Sequence, residues 1–227
     1  MTPTTQRPIR TARGATALTA LASGLVGIVA NLYLVLFYLT AKPWQPDSVA
    51  RQVTGDPTGY GTINDWLIPL QLVLLIPIVI WLGQQTQIEK SSRRWTAIAL
   101  AASIAATLLQ LLLVTGVLPF AIQVGPVAVC VLLLLCWAGI ISSAGRRRRV
   151  LSHSTVLLGR LMMWAVPVGV AAFAVGIGIS ALQGEGSWAW VVGAVPGALG
   201  WLAFPLWVLL VARDAAWGSH RHLRTPD

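Results

Sequence analysis

Acidic side chains are scarce in this chain: seven Asp and Glu in 227 residues, against sixteen Lys and Arg. Charged residues together make up only 10%, where a soluble domain carries about 25%. Such a chain cannot cover a globule with a water-facing surface. Histidine is rarer still, with three copies, none inside a long apolar run. Cysteine is limited to Cys130 and Cys136. Six residues apart on one helix, they are separated by about 9 Å along its axis, whereas a disulfide needs Cα atoms within about 7 Å. A disulfide-held scaffold is therefore excluded, and the two thiols read as inert packing groups.

What the chain has in abundance is apolar length. Hydrophobic residues make up 56% and the mean hydropathy is +0.73. A helix crosses a hydrocarbon core about 30 Å thick with roughly 20 apolar residues. Six stretches meet this: Gly14–Thr40, Trp66–Gly83, Thr96–Gly116, Pro126–Ala144, Arg160–Leu182 and Trp188–Val211. None holds an Asp, Glu, Lys or Arg beyond its first residue. The expectation is an all-α, polytopic membrane protein: one domain, a bundle of six transmembrane helices.

Thr96–Ala144 has no interrupting charge, yet as one helix it would be about 74 Å long. Pro119 and the Gly125-Pro126 pair supply a break, so two helices are expected there. Gly14–Thr40 follows Arg7, Arg10 and Arg13, as a signal peptide would. Its apolar run far exceeds the 7–15 residues of a signal h-region, and it reads as a retained first helix.

The +9 charge would suggest nucleic acid in a soluble protein, but its placement argues otherwise. With both termini in the cytoplasm, the inner segments hold Arg7, Arg10, Arg13, Lys90, Arg93, Arg94, Arg146, Arg147, Arg148, Arg149, Arg160, Arg213, Arg221 and Arg224. Only Lys42 and Arg51 remain outside, in the loop 41–64. This is the asymmetry of the positive-inside rule, and it favours six spans over five. Arg146–Arg149 is the strongest topology determinant, and it could also hold anionic lipid headgroups. His220 and His222 are too few for a metal site. Trp44, Trp66, Trp188 and Trp190 suit one interfacial belt, and Trp81, Trp95, Trp164 and Trp217 the other. Trp137, Trp201 and Trp207 lie deeper and read as packing residues. In the loop, Asp47–Val53 could form one or two helical turns capped by Asp47. Asn64 and Asp65 stand where the second span begins and read as an N-cap.

Small residues mark faces where helices approach closely. They are Ala20, Gly24, Gly27 and Asn31 in the first span, and Ala165, Gly169, Ala172 and Gly176 in the fifth. The sixth has Gly193 and Gly197, followed by Gly200, and the third has Ala99, Ser103 and Thr107. Pro69, Pro77, Pro167, Pro196 and Pro205 fall inside spans and tend to kink them. The pattern hints that the first two spans and the last two are a repeated hairpin. Asn31, Gln71 and Gln110 all fall in the outer half of the membrane, with Tyr33 and Tyr38 in the same half and Asp65 at its rim. An amide in hydrocarbon needs a partner. Two readings follow: interhelical hydrogen bonds, or a polar pocket lined by Asn31, Gln71, Gln110, Asp65 and Tyr33.

No span carries the paired Asp, the Ser with His, or the HExxH motif that intramembrane hydrolysis uses, so general acid–base chemistry at depth has no carrier. Enzyme activity is not expected, nor is a cofactor. Two function classes survive. One is a partner or scaffold subunit that packs against another membrane protein. The other is a substrate-binding or permease-like subunit of a transporter energised by a separate ATPase. Fourteen Arg against two Lys suggest a GC-rich bacterial genome, hence a plasma membrane. A cysteine placed at Ser48 is expected to react with an impermeant maleimide on intact cells. One at Ser152 is expected to react only after permeabilisation, and the reverse pattern would overturn this topology.

Overall fold

The computed structural model describes residues 7–41, 58–86, 90–183 and 189–221. The expected turns at Asp47–Val53, the basic Lys42 and Arg51, and His222 with Arg224 lie outside them. All regular structure among the described residues is helical: α1 (Arg7–Ala41), α2 (Tyr60–Thr86), α3 (Lys90–Val114), α4 (Phe120–Arg147), α5 (His153–Gln183) and α6 (Ala189–Arg221). All six are long and apolar enough to cross a membrane.

The helices outrun the apolar stretches at most ends, and the extensions matter. α2 begins at Tyr60, where the Thr58 hydroxyl accepts a hydrogen bond from the Tyr60 N–H. Asn64 and Asp65 therefore sit in the second turn and do not cap it, contrary to the sequence expectation. The α3–α4 break falls at Thr115–Pro119 and not at Gly125-Pro126. Gly116, with φ of 76°, takes the left-handed conformation that glycine adopts without steric cost, and its N–H bonds the Leu113 carbonyl at 2.9 Å. The Leu118 N–H then returns to the Leu112 carbonyl at 3.0 Å. Pro119 precedes α4 in an extended conformation. Pro126 is carried inside the helix, where a proline forfeits a single backbone bond near the start.

Each helix packs against its neighbours in the chain, and α6 closes onto α1, so the six form a ring with weaker α2–α4 and α4–α6 contacts across it. The centre is filled. Trp137 of α4 and Phe204 and Trp207 of α6 are fully buried among Leu72, Leu75, Ile78, Leu134 and Ile141. The Trp137 and Trp207 rings meet edge to face at 5.6 Å, and Phe204 stacks between Trp201 and Trp207. The Trp207 indole N–H donates to the Ser142 hydroxyl at 3.0 Å. Trp81, expected in an interfacial belt, is buried in this core instead.

Hydrocarbon gives helices no hydrophobic reason to associate, so close backbone approach takes over. A methyl group at Gly24 would lie 2.5 Å from Leu209, and one at Gly27 2.5 Å from the Gln71 amide and 2.7 Å from Pro205. These two glycines seat α1 on α6 and α2. Gly169 and Gly176 are buried. Gly197, however, faces open space, and the close approach on α6 is made by Gly200 against Leu135 and Ala165. The surroundings of Gly193 lie outside the described side chains. Four close approaches lie outside the small-residue stripes: Gly83 against Thr96, Gly139 against Met163, Gly145 against Leu151, and Gly159 against Ser142 and Trp207. Overpacking a well-filled core costs about 1–3 kcal/mol. Gly159→Ala is expected to lower the thermal midpoint in detergent, while Gly178→Ala, with nothing near it, is expected to leave it unchanged.

Candidate polar sites in the bundle

At the end of the bundle where α2 begins and α3 turns into α4, four polar side chains converge. The Gln123 amide donates to the Gln110 carbonyl oxygen at 2.7 Å. The Gln110 amide in turn donates to the Asp65 carboxylate at 3.1 Å, and Asn64 to the same oxygen at 3.4 Å. Three helices are thereby joined. Gln110 is 2% exposed and Gln123 3%, so these bonds lie in surroundings where an unmade one would cost most. The donors all run toward Asp65, an arrangement in which each bond polarises the next. Tyr38 of α1 is within electrostatic range of Asp65. The Tyr33 and Tyr60 rings lie 6.0 Å apart beside this end.

Asn31 and Gln71 belong to a different group. The Asn31 amide donates to the Leu202 carbonyl of α6 at 3.2 Å. The Ser23 hydroxyl donates to the Gln71 main-chain carbonyl at 3.0 Å. Gln71 is 1% exposed, and its amide nitrogen has no hydrogen-bond partner. It is packed against Gly27. Gln71 lies six residues beyond Asp65, about 9 Å along α2. The three amides picked out by depth thus divide between two places, Gln110 on the α2–α3–α4 side and Asn31 with Gln71 on the α1–α2–α6 side. All three lie against neighbouring helices.

Gln123 and Asp65 were underweighted in sequence. Gln123 lies three residues before the apolar stretch that begins at Pro126, and Asp65 one residue before Trp66. Both are drawn in because α2 and α4 start six residues early.

The opposite end of the bundle is organised by Asp214 of α6. Its carboxylate accepts from the Ser152 N–H at 2.8 Å and from the Thr155 hydroxyl at 2.6 Å. It therefore caps α5 from another helix, the role an N-cap side chain plays within one. Arg213 donates to the Ser152 and Ser154 hydroxyls at 2.6 and 2.9 Å and pairs with Asp214 at 3.3 Å. Read in sequence, Asp214 was one residue of a basic tail. The signal that could have marked it is the Ser152–Thr155 run, a helix start lacking its own acid. Arg146, Arg147, Arg148 and Arg149 are all exposed at this end. At the α2–α3 turn, the Thr86 and Ser92 hydroxyls are hydrogen-bonded at 2.8 Å. Among the described residues, no group of three or more His, Cys, Asp or Glu could hold a metal ion.

Cutting the amide chain leaves buried partners unsatisfied, at about 1–3 kcal/mol. Gln110→Leu is therefore expected to lower stability clearly in a detergent unfolding assay. Gln71→Met removes a donor that already lacks a partner, and is expected to be neutral or stabilising. Equal losses for the two would contradict the division drawn above.

Comparison with protein-family models, with curated proteins and with solved structures finds no match to this chain.

Proposed function

We propose that the chain is an integral protein of a bacterial plasma membrane, with both termini cytoplasmic, that serves as a non-enzymatic partner or scaffold subunit of a membrane complex. The observation that carries this reading is where the polar side chains spend their hydrogen bonds. Gln123 to Gln110, Gln110 to Asp65, Asn31 to Leu202, Ser23 to Gln71 and Trp207 to Ser142 all run between helices. They hold the bundle in one arrangement around a filled centre. A rigid ring with broad apolar outer faces suits a protein that presents a surface to a neighbour in the bilayer. The cytoplasmic placement of both termini rests on the arginine asymmetry.

A second reading, the binding or permease-like subunit of an ATPase-driven transporter, draws on one feature. The Gln71 amide is a buried donor without a partner, and such a group is a natural contact for an uncharged acceptor-bearing ligand.

The test is gentle. The tagged chain, cross-linked in intact membranes through a photoreactive residue at the exposed Ile104 or Leu108 of α3, is expected to capture one membrane protein at fixed stoichiometry. Co-purification of an ATPase, with Gln71→Met abolishing uptake of a solute, would favour the transport reading. A chain that is monomeric and uncross-linked in its own membrane would overturn the partner role.

A further inference from the structure

The seam between α4 and α5 carries two cross-helix contacts that place guanidinium groups at different depths. Arg146 of α4 meets the His153 ring at 3.5 Å. Further along, Arg160 of α5 donates from Nε to the Ser143 hydroxyl at 3.1 Å. Ser143 and Arg146 are three residues apart on α4; His153 and Arg160 are seven apart on α5. Each pair therefore shares one helix face, and the two contacts follow one line down the outside of the bundle. Arg160 lies about 10 Å along α5 from His153, within a helix apolar enough to span a membrane.

Arg146, His153 and Arg160 are all exposed. Arg160 contributes one nitrogen to Ser143, and its two terminal nitrogens have no protein partner among the described residues. The acidic side chain described at this end is Asp214, and its oxygens are committed to Ser152, Thr155 and Arg213. Arg160 stands at the mouth of its apolar stretch, where a guanidinium at the edge of an apolar helix is favoured by an anion that meets it. Its fork of donors matches the oxygens of a phosphate. Beside and beyond Arg160 on the same helix, Leu157, Leu161 and Trp164 are exposed, an apolar strip running on from the charged one.

We infer that this seam binds an anionic phospholipid, with its phosphate held between Arg146 and Arg160 and an acyl chain along Leu157, Leu161 and Trp164. The combination of exposed guanidinium groups and an adjoining apolar strip fits a lipid, since a free phosphate would have no use for the strip. The inference rests on the membrane reading above, and it extends the expectation for Arg146–Arg149 to a specific pair.

The purified chain in nanodiscs of mixed phosphatidylcholine and phosphatidylglycerol, released for native mass spectrometry, is expected to retain phosphatidylglycerol selectively. Arg146→Gln with Arg160→Gln is expected to weaken that retention about tenfold. Arg93→Gln with Arg94→Gln, which removes equal charge at the α2–α3 turn, is expected to leave it unchanged. The single substitutions serve if the double variant fails to fold. Equal retention of phosphatidylcholine, equal loss in the Arg93/Arg94 pair, or competition by millimolar inorganic phosphate would each overturn the proposal. Both leaflets of a nanodisc carry the same lipids and no partner is present. Failure here is thus separable from failure of the orientation or of the subunit role.

Discussion

A polar group inside an apolar bundle is costly unless it finds a partner within the protein, and that cost, met at most positions though not at the Gln71 amide or the Trp81 and Trp137 indoles, organises this structure. Every helix here is apolar on nearly all sides. The hydrophobic effect that sorts the inside of a soluble protein from its outside therefore has little to discriminate between. What distinguishes the observed ring from other packings of the same six helices is a short set of directional links. Asn31 to the Leu202 carbonyl ties α1 to α6 and so closes the ring. Gln123, Gln110 and Asp65 tie α4, α3 and α2 together. Ser142 ties the Trp207 indole to α4.

These links work because glycine lets the backbones come near enough to make them. Gly27 makes room for the Gln71 side chain against α1, and Gly159 makes room for the Ser142–Trp207 bond between α4, α5 and α6. Packing and hydrogen bonding are thus one device in this bundle. The two ends differ in kind. One is tied by amides donating to a single carboxylate; the other is tied by an aspartate that caps a neighbouring helix and by the arginine beside it. The second end is the more hydrophilic, and it carries the greater density of basic side chains.

The number of helices and the break between α3 and α4 were legible because both follow from length against a fixed thickness, a constraint that needs no tertiary information. Helix ends were less so. Tyr60–Asp65 carries few apolar residues, and Phe120–Gly125, though mostly apolar, is set off from its helix by Gly125-Pro126, yet both continue the helices that follow. That shift is why Gln123 was missed and why Asp65 was read as a cap. The small-residue stripes on α1 were readable from their spacing, whereas Gly139 and Gly159 were not, because their purpose lies in the bulk of Met163, Ser142 and Trp207 on other helices. Depth could also bring Asn31, Gln71 and Gln110 to attention without saying which side of α2 each would face. That depends on the order of helices around the ring, which no local pattern encodes.

Arg149 shows the two demands on the arginine-rich end in direct conflict. It closes the α4–α5 turn with φ of 56°, a left-handed conformation that costs a residue bearing a Cβ about 1–2 kcal/mol. The following N–H of Val150 reaches back to the Gly145 carbonyl at 2.9 Å, the return that helices commonly end with and that glycine makes most readily. Local backbone chemistry would choose glycine here, and the neighbouring Gly145 shows that the chain uses it where space is short. An arginine at this position is intelligible when its charge matters more than the strain. It adds to Arg146, Arg147 and Arg148 on a turn whose nearby acid is already engaged by α5. The turn therefore keeps a fourth consecutive guanidinium at this end of the bundle at the cost of a strained backbone.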